Sequence, residues 1–137
     1  MLLRRACMLK IGGFDPVFGS YGEDADLCRR AQQAGWQVGT VRGVGVETLG
    51  TADPGRREVL GTAAIVLLRF KERGIRGAAR GAAGGLRKAL AASRGGEWRR
   101  ALRILSGTVI GMSRVAGQLS ASADAPAVVM QPERAQR

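Results

Sequence analysis

From Trp98 to Leu119 the apolar residues Trp98, Leu102, Leu105, Val109, Met112, Ala116 and Leu119 step by four and three positions in alternation. A strand would turn every second residue to the same side, and these steps do not. An α-helix gathers all seven into one stripe, so this stretch is committed to helix. A heptad seam of this length is a surface made for contact. Arg99, Arg100 and Arg103 lie beside it. Such a helix can dock onto the rest of its own chain, pair with a partner helix, or lie in a lipid interface.

Upstream, Val59 to Lys71 also reads as helix. Between the two segments lies "RGIRGAARGAAGGLRK", with Gly74, Gly77, Gly81, Gly84 and Gly85. Each interior glycine costs a helix roughly 1 kcal/mol relative to alanine, so this tract predicts a frayed helix or a linker. The breaker "TADPGRRE", residues 51–58, marks the boundary with what comes before. The final "SASADAPAVVMQPERAQR", residues 120–137, reads as a disordered tail.

Charge divides the chain at the same place. Residues 1–55 hold six basic and six acidic side chains, and residues 56–137 hold sixteen and five. The net charge of +11 is therefore carried entirely by the second part. It suits an anionic partner, namely a lipid surface, nucleic acid or an acidic polymer, or else a solvated basic surface. The Arg/Gly tract has no aromatics on which bases would stack, which counts against nucleic acid.

The chain of 137 residues suffices for one domain of ordinary size, and with 4% aromatics its core must be aliphatic. There are no histidines, which excludes Ser-His-Asp and Cys-His catalysis. Cys7 and Cys28 lack metal-ligand spacing and read as reduced thiols of a cytoplasmic protein. In "MLLRRACMLKIGG" the Arg pair interrupts the apolar run, as a signal peptide would not. The longest apolar run, Gly61 to Leu68, falls well short of the ~20 residues of a membrane span.

The first part of the chain is irregular until residue 23. Met1–Leu3 and Cys7–Ile11 are short apolar runs, one a candidate strand and the other a helical turn. Gly12-Gly13 ends them. "FDPVFGSYG" reads as a loop, and Phe14, Phe18 and Tyr21 wedge it onto a core. Glu23 to Ala34 reads as a helix with the stripe Leu27, Ala31 and Ala34, closed by Gly35. "WQVGTV" then alternates as a short strand.

Glu23, Asp24 and Asp26 crowd the first turn of that helix. Carboxylates there compensate the macrodipole, each contributing up to ~1 kcal/mol. They also present a chemical possibility. A carboxylate at a loop-to-helix junction can take a proton from an incoming hydroxyl, with a neighbouring carboxylate orienting the acceptor.

The block "GGFDPVFGSYGEDADLCRRAQQAGWQVGTV" resembles the C-terminal part of the catalytic domain of family 2 glycosyltransferases, especially rhamnosyltransferase-like and cell-wall galactosyltransferase-like members. Gly12, Gly13, Phe14, Asp15, Phe18, Tyr21, Gly22, Glu23, Asp24, Asp26, Leu27, Arg30, Ala34, Gly35, Trp36 and Val38 fit that family's pattern in order without a gap. The resemblance covers residues 3–50. It implies an α/β fold: residues 1–55 as the C-terminal part of a GT-A, Rossmann-like domain, followed by a basic helical extension over 56–119 and the tail. It implies inverting transfer from a nucleotide-sugar to a hydroxyl of a glycan or lipid-linked acceptor, in polysaccharide or cell-wall synthesis. Asp24 is implied as the base, with Glu23 beside it, and Asp26, Tyr21, Gly22 and Trp36 on the acceptor side. The family commonly uses Mg²⁺ or Mn²⁺.

Two departures qualify this. Where the family has a histidine that can bind metal, this chain has Glu47, either an oxygen ligand or a surface residue on a degenerate strand. No Asp-x-Asp motif and no nucleotide-binding βαβ units precede residue 23, so the donor half is missing from these 137 residues. The chain then reads as a fragment needing that half, or as a remnant inactive by itself. The rival reading is a non-catalytic basic protein. Either way the expected place is the cytoplasm, with the basic part available to the inner membrane face.

Overall fold

A computed structural model describes residues 1–43, 45 and 53–123. Among the described residues there is helix and no strand. The α/β expectation is therefore corrected to an all-helical fold. "WQVGTV" alternates like a strand but runs as irregular chain, with Val38 and Val41 exposed. The reason is the missing partner: a strand needs a neighbour to receive its N–H and C=O groups, and no second strand is formed among the described residues. Met1–Leu3 likewise forms no strand.

The first part folds as two short helices and a tight turn. Helix α1 (Arg5–Ile11) ends at Gly12, whose φ of 78° is a left-handed cap. A single 3₁₀ turn, Pro16–Phe18, follows. Asp15 caps it by accepting from the Val17 amide at 2.9 Å. Helix α2 (Glu23–Gln33) ends as the sequence predicts: Gly35 is left-handed and the Trp36 amide donates back to the Ala31 carbonyl at 3.0 Å.

The second part is an up-down-up bundle of three rods. Helix α3 (Pro54–Arg94) starts on an Asp53 cap with Pro54 in its first turn. It is broken at Arg73 and Gly74, where φ is −138° and 60°. Its first arm, 54–72, and second arm, 75–94, lie side by side, with Gly77 against the Arg69 carbonyl and Gly81 against Val66. A Gly95-Gly96 turn leads to helix α4 (Trp98–Ala123). There Gly107 meets Val59 and Thr62, and Gly111 meets Ala63 and Val66, so α4 runs parallel to the first arm. Gly85 meets Thr108, antiparallel to it.

The Gly/Ala/Arg tract is thus a helix and not a frayed linker. Gly77, Gly81 and Gly85 recur every fourth residue and form one face of the second arm, where a Cβ would collide with a neighbouring rod. Closer backbone approach offsets the propensity cost. The core is correspondingly small-grained. Ala89, Ala92, Ala101 and Ile104 form one cluster. Phe18, Ala64, Val66, Leu67, Ala78 and Val115 form the other. Phe18 therefore wedges the first part onto the bundle, as expected of that aromatic loop.

Helix α4 packs through Ala101, Ile104, Gly107, Gly111 and Val115. At 100° per residue this face is about 110° around the helix from the Trp98–Leu119 seam. Among the described residues the seam docks on nothing: all seven of its residues are exposed. The helix also continues to Ala123, into the start of the stretch expected to be a disordered tail.

Candidate functional site

The acidic cluster is set by the backbone that precedes it. Tyr21 and Gly22 both have left-handed φ, 70° and 92°, which turns the chain sharply into α2. Gly22 can be nothing larger: a Cβ would sit 2.7 Å from the Ala64 methyl and 3.2 Å from the Phe18 ring. This contact seats the start of α2 on the first arm of α3. Glu23, Asp24 and Asp26 then leave the first turn of α2 in three directions and meet three environments.

Asp26 is fully buried. It accepts from Arg30 Nε at 2.6 Å and from Arg29 at 3.1 Å, and Lys71 Nζ lies 3.4 Å away. Arg30 also donates to the Ile11 and Gly13 carbonyls, both at 2.6 Å. Lys71 reaches from α3 to pair with Asp15 as well, and sits 5.1 Å over the Phe18 ring. Burial by itself would raise the Asp26 carboxyl. The hydrogen bonds from Arg30 and Arg29 and the charge of Lys71 prevail and hold it below the usual carboxylate range. Asp15 is held low in the same way, with burial opposed by Lys71 and the Val17 amide. Both oxygens of Asp26 are occupied, so it ties α1, the loop, α2 and α3 together and presents no surface to an acceptor.

Glu23 and Asp24 are different. Asp24 is exposed and accepts only from the adjacent Ala25 amide, at 2.8 Å, among the bonds of the described residues. Glu23 is half-buried, and its Oε2 has no hydrogen-bond partner there. The two line an open cleft of about 420 Å³ together with Met1, Phe14, Asp15, Pro16 and Gly19. The exposed Asp24 carboxylate, next to an aromatic face, is placed to accept a proton from a hydroxyl held in that cleft, whereas the unpaired Glu23 oxygen is buried.

The other expected site residues are not in that cleft. Tyr21 is partly buried against the Phe18 cluster. Gly22 serves the packing just described. Trp36 lines a separate cleft of about 680 Å³ with Gln32, Gln37 and Val38, and its buried indole N–H has no partner among the described residues. Glu47 lies outside the described residues. Among the described residues no three acidic or cysteine side chains gather into a metal-binding group.

Sequence reasoning missed Lys71 and Arg114. Lys71 lies 45 residues from Asp26, and Arg114 donates to the Phe18 carbonyl from 96 residues away at 2.7 Å. No local pattern announces either. Comparison with protein-family models, with characterised proteins and with solved structures finds no match to this chain.

Proposed function

We propose that this chain contributes the acceptor side of an inverting glycosyl transfer. The observation that carries the reading is the cleft that Asp24 and Glu23 line together with Phe14, with Asp24 exposed, within the block of residues 12–36 that resembles family 2 glycosyltransferases. In this role Asp24 accepts the proton of the acceptor hydroxyl. The hydroxyl oxygen attacks the anomeric carbon of the sugar donor, and the nucleoside diphosphate leaves from the opposite face. Glu23 orients the acceptor, and Phe14 offers a ring for a sugar to stack on. Asp26 acts only by fixing the start of α2. In this reading a further polypeptide segment holds the nucleotide-sugar.

The test has two arms. Amide chemical shifts of the full chain are followed during titration with oligosaccharide acceptor mimics, and changes are expected at Phe14, Glu23 and Asp24, and to weaken in Phe14→Ala. No change at millimolar sugar overturns the acceptor site. Calorimetry with UDP- and dTDP-sugars, with and without Mn²⁺, is expected to be silent. Heat of binding would mean that the chain holds its donor after all.

A further inference from the structure

The seam on α4 is not alone on its side of the bundle. On the second arm of α3, Leu86 and Leu90 are exposed as well. By helical geometry they lie about 100° from Gly85 and Ala89, which face α4, in the sense away from Gly81, which faces the first arm. They therefore share the outer face of the α4 and second-arm pair with the seam. The exposure is high for large apolar side chains: Trp98 60%, Leu102 54% and Val109 67%. A contiguous apolar face of this kind marks a contact surface.

Its charge setting selects the contact. Between Arg73 and Ala123 there are ten basic residues and one acidic residue, Glu97; of the ten, Arg100 and Arg103 are directed to Glu58 and Arg114 to the Phe18 carbonyl, away from the seam. Glu97 is itself paired with Arg100 at 3.2 Å. A second copy of this chain would bring like charge against like charge. Nucleic acid would meet aliphatic side chains where it needs stacking partners. A bilayer with anionic headgroups supplies both an apolar interior for the leucines and negative charge for the arginines around them. Trp98, with the Arg99 guanidinium 5.4 Å over its ring, is placed as an interfacial anchor at one end. No helix among the described residues is long and apolar enough to cross a membrane, so contact is along the face.

We propose that the outer face of α4 and the second arm of α3 lies flat on an anionic lipid bilayer. Arg114, about 160° around α4 from the seam, binds the Phe18 carbonyl, so residues 12–36 sit on the opposite side of the bundle from the lipid. This inference does not depend on the glycosyl-transfer reading, and its test involves no sugar.

Flotation of the full chain is compared on vesicles of phosphatidylcholine alone and of phosphatidylcholine with one-third phosphatidylglycerol. Binding is expected to the anionic vesicles and to weaken in high salt. The exposed-site double variant Leu102→Ser, Val109→Ser should bind at least tenfold more weakly at unchanged helical content. In a Trp36→Phe background, tryptophan emission should shift to the blue on binding, reporting Trp98 entering the interface. Equal binding by the double variant overturns the proposal. So does equal binding to neutral vesicles, or absence of binding to either. Lipid-free dimerisation that the double variant abolishes would assign the face to a second copy and overturn it too.

Discussion

Alanine at two glycines of the bundle should have opposite effects. At Gly111 a Cβ would lie 2.8 Å from Val66 Cβ, 2.9 Å from the Ala63 carbonyl oxygen and 3.1 Å from Ala63 Cα. Two of these are backbone atoms and cannot swing aside, so α4 must move off the first arm. Overpacking of this kind costs ~1–3 kcal/mol. The gain in helix propensity returns ~1 kcal/mol. The net expectation for Gly111→Ala is a loss of up to about 2 kcal/mol. At Gly84 a Cβ meets nothing within 4 Å. Only the propensity term remains, so Gly84→Ala should gain about 0.5–1 kcal/mol. For a chain of this size 1 kcal/mol moves the thermal midpoint by roughly 3–5 °C. Gly111→Ala should then melt up to about 10 °C lower and Gly84→Ala a few degrees higher, as read by far-UV circular dichroism. If Gly111→Ala melts higher than the unmodified chain, α4 does not rest on the first arm and the glycine-contact account of the bundle is wrong. If Gly84→Ala melts lower, the second arm is not an ordinary helix.

Asp26→Asn keeps the shape but leaves Arg29, Arg30 and Lys71 around a neutral side chain. It should cost about 2–4 kcal/mol by denaturant unfolding, the lower end reflecting partners that keep some contact with water; a loss below ~1 kcal/mol would deny Asp26 its tying role. Acid should unfold the chain in a defined direction. Asp15 and Asp26 are lowered from an ordinary 3.8, and Glu58, bonded to Arg100 and Arg103 against its own desolvation, from 4.5. The unfolded chain therefore binds protons first. The stabilisation from these groups is complete above their ordinary values and is lost as pH falls through the lower folded ones. Thermal midpoints measured from neutral pH downward should drop below about pH 4. Asp26→Asn should flatten that drop, and a midpoint that rises on acidification would refute the assignment.

Much of the local structure was legible from the residues. Glu23–Gln33 is helical where its stripe and acidic first turn indicated, and Gly35 closes it. Pro54 begins α3 inside the predicted breaker, capped by Asp53. Of the candidate site, the adjacency of Glu23 and Asp24 to the Phe14 loop could be seen along the chain, because all lie within a few residues of one turn. The separation of Asp26 from them could not. Its burial depends on Lys71, which arrives from another helix and differs in no visible way from the other cations of the basic part.

The sequence by itself determined where helices can run and how they are capped. Those are matters of one to four residues, set by backbone propensity and by side chains that reach their own turn. It also carried the seam of α4. Which side of α4 would be buried was left to the tertiary structure. A hydrophobic period counts large side chains, whereas this bundle is closed by glycines and alanines, whose contribution is the space they leave for a neighbouring backbone. For the same reason the Gly-rich tract became a packed helix. "WQVGTV" stayed irregular because strand pairing, like glycine-mediated packing, exists only when the second element is present.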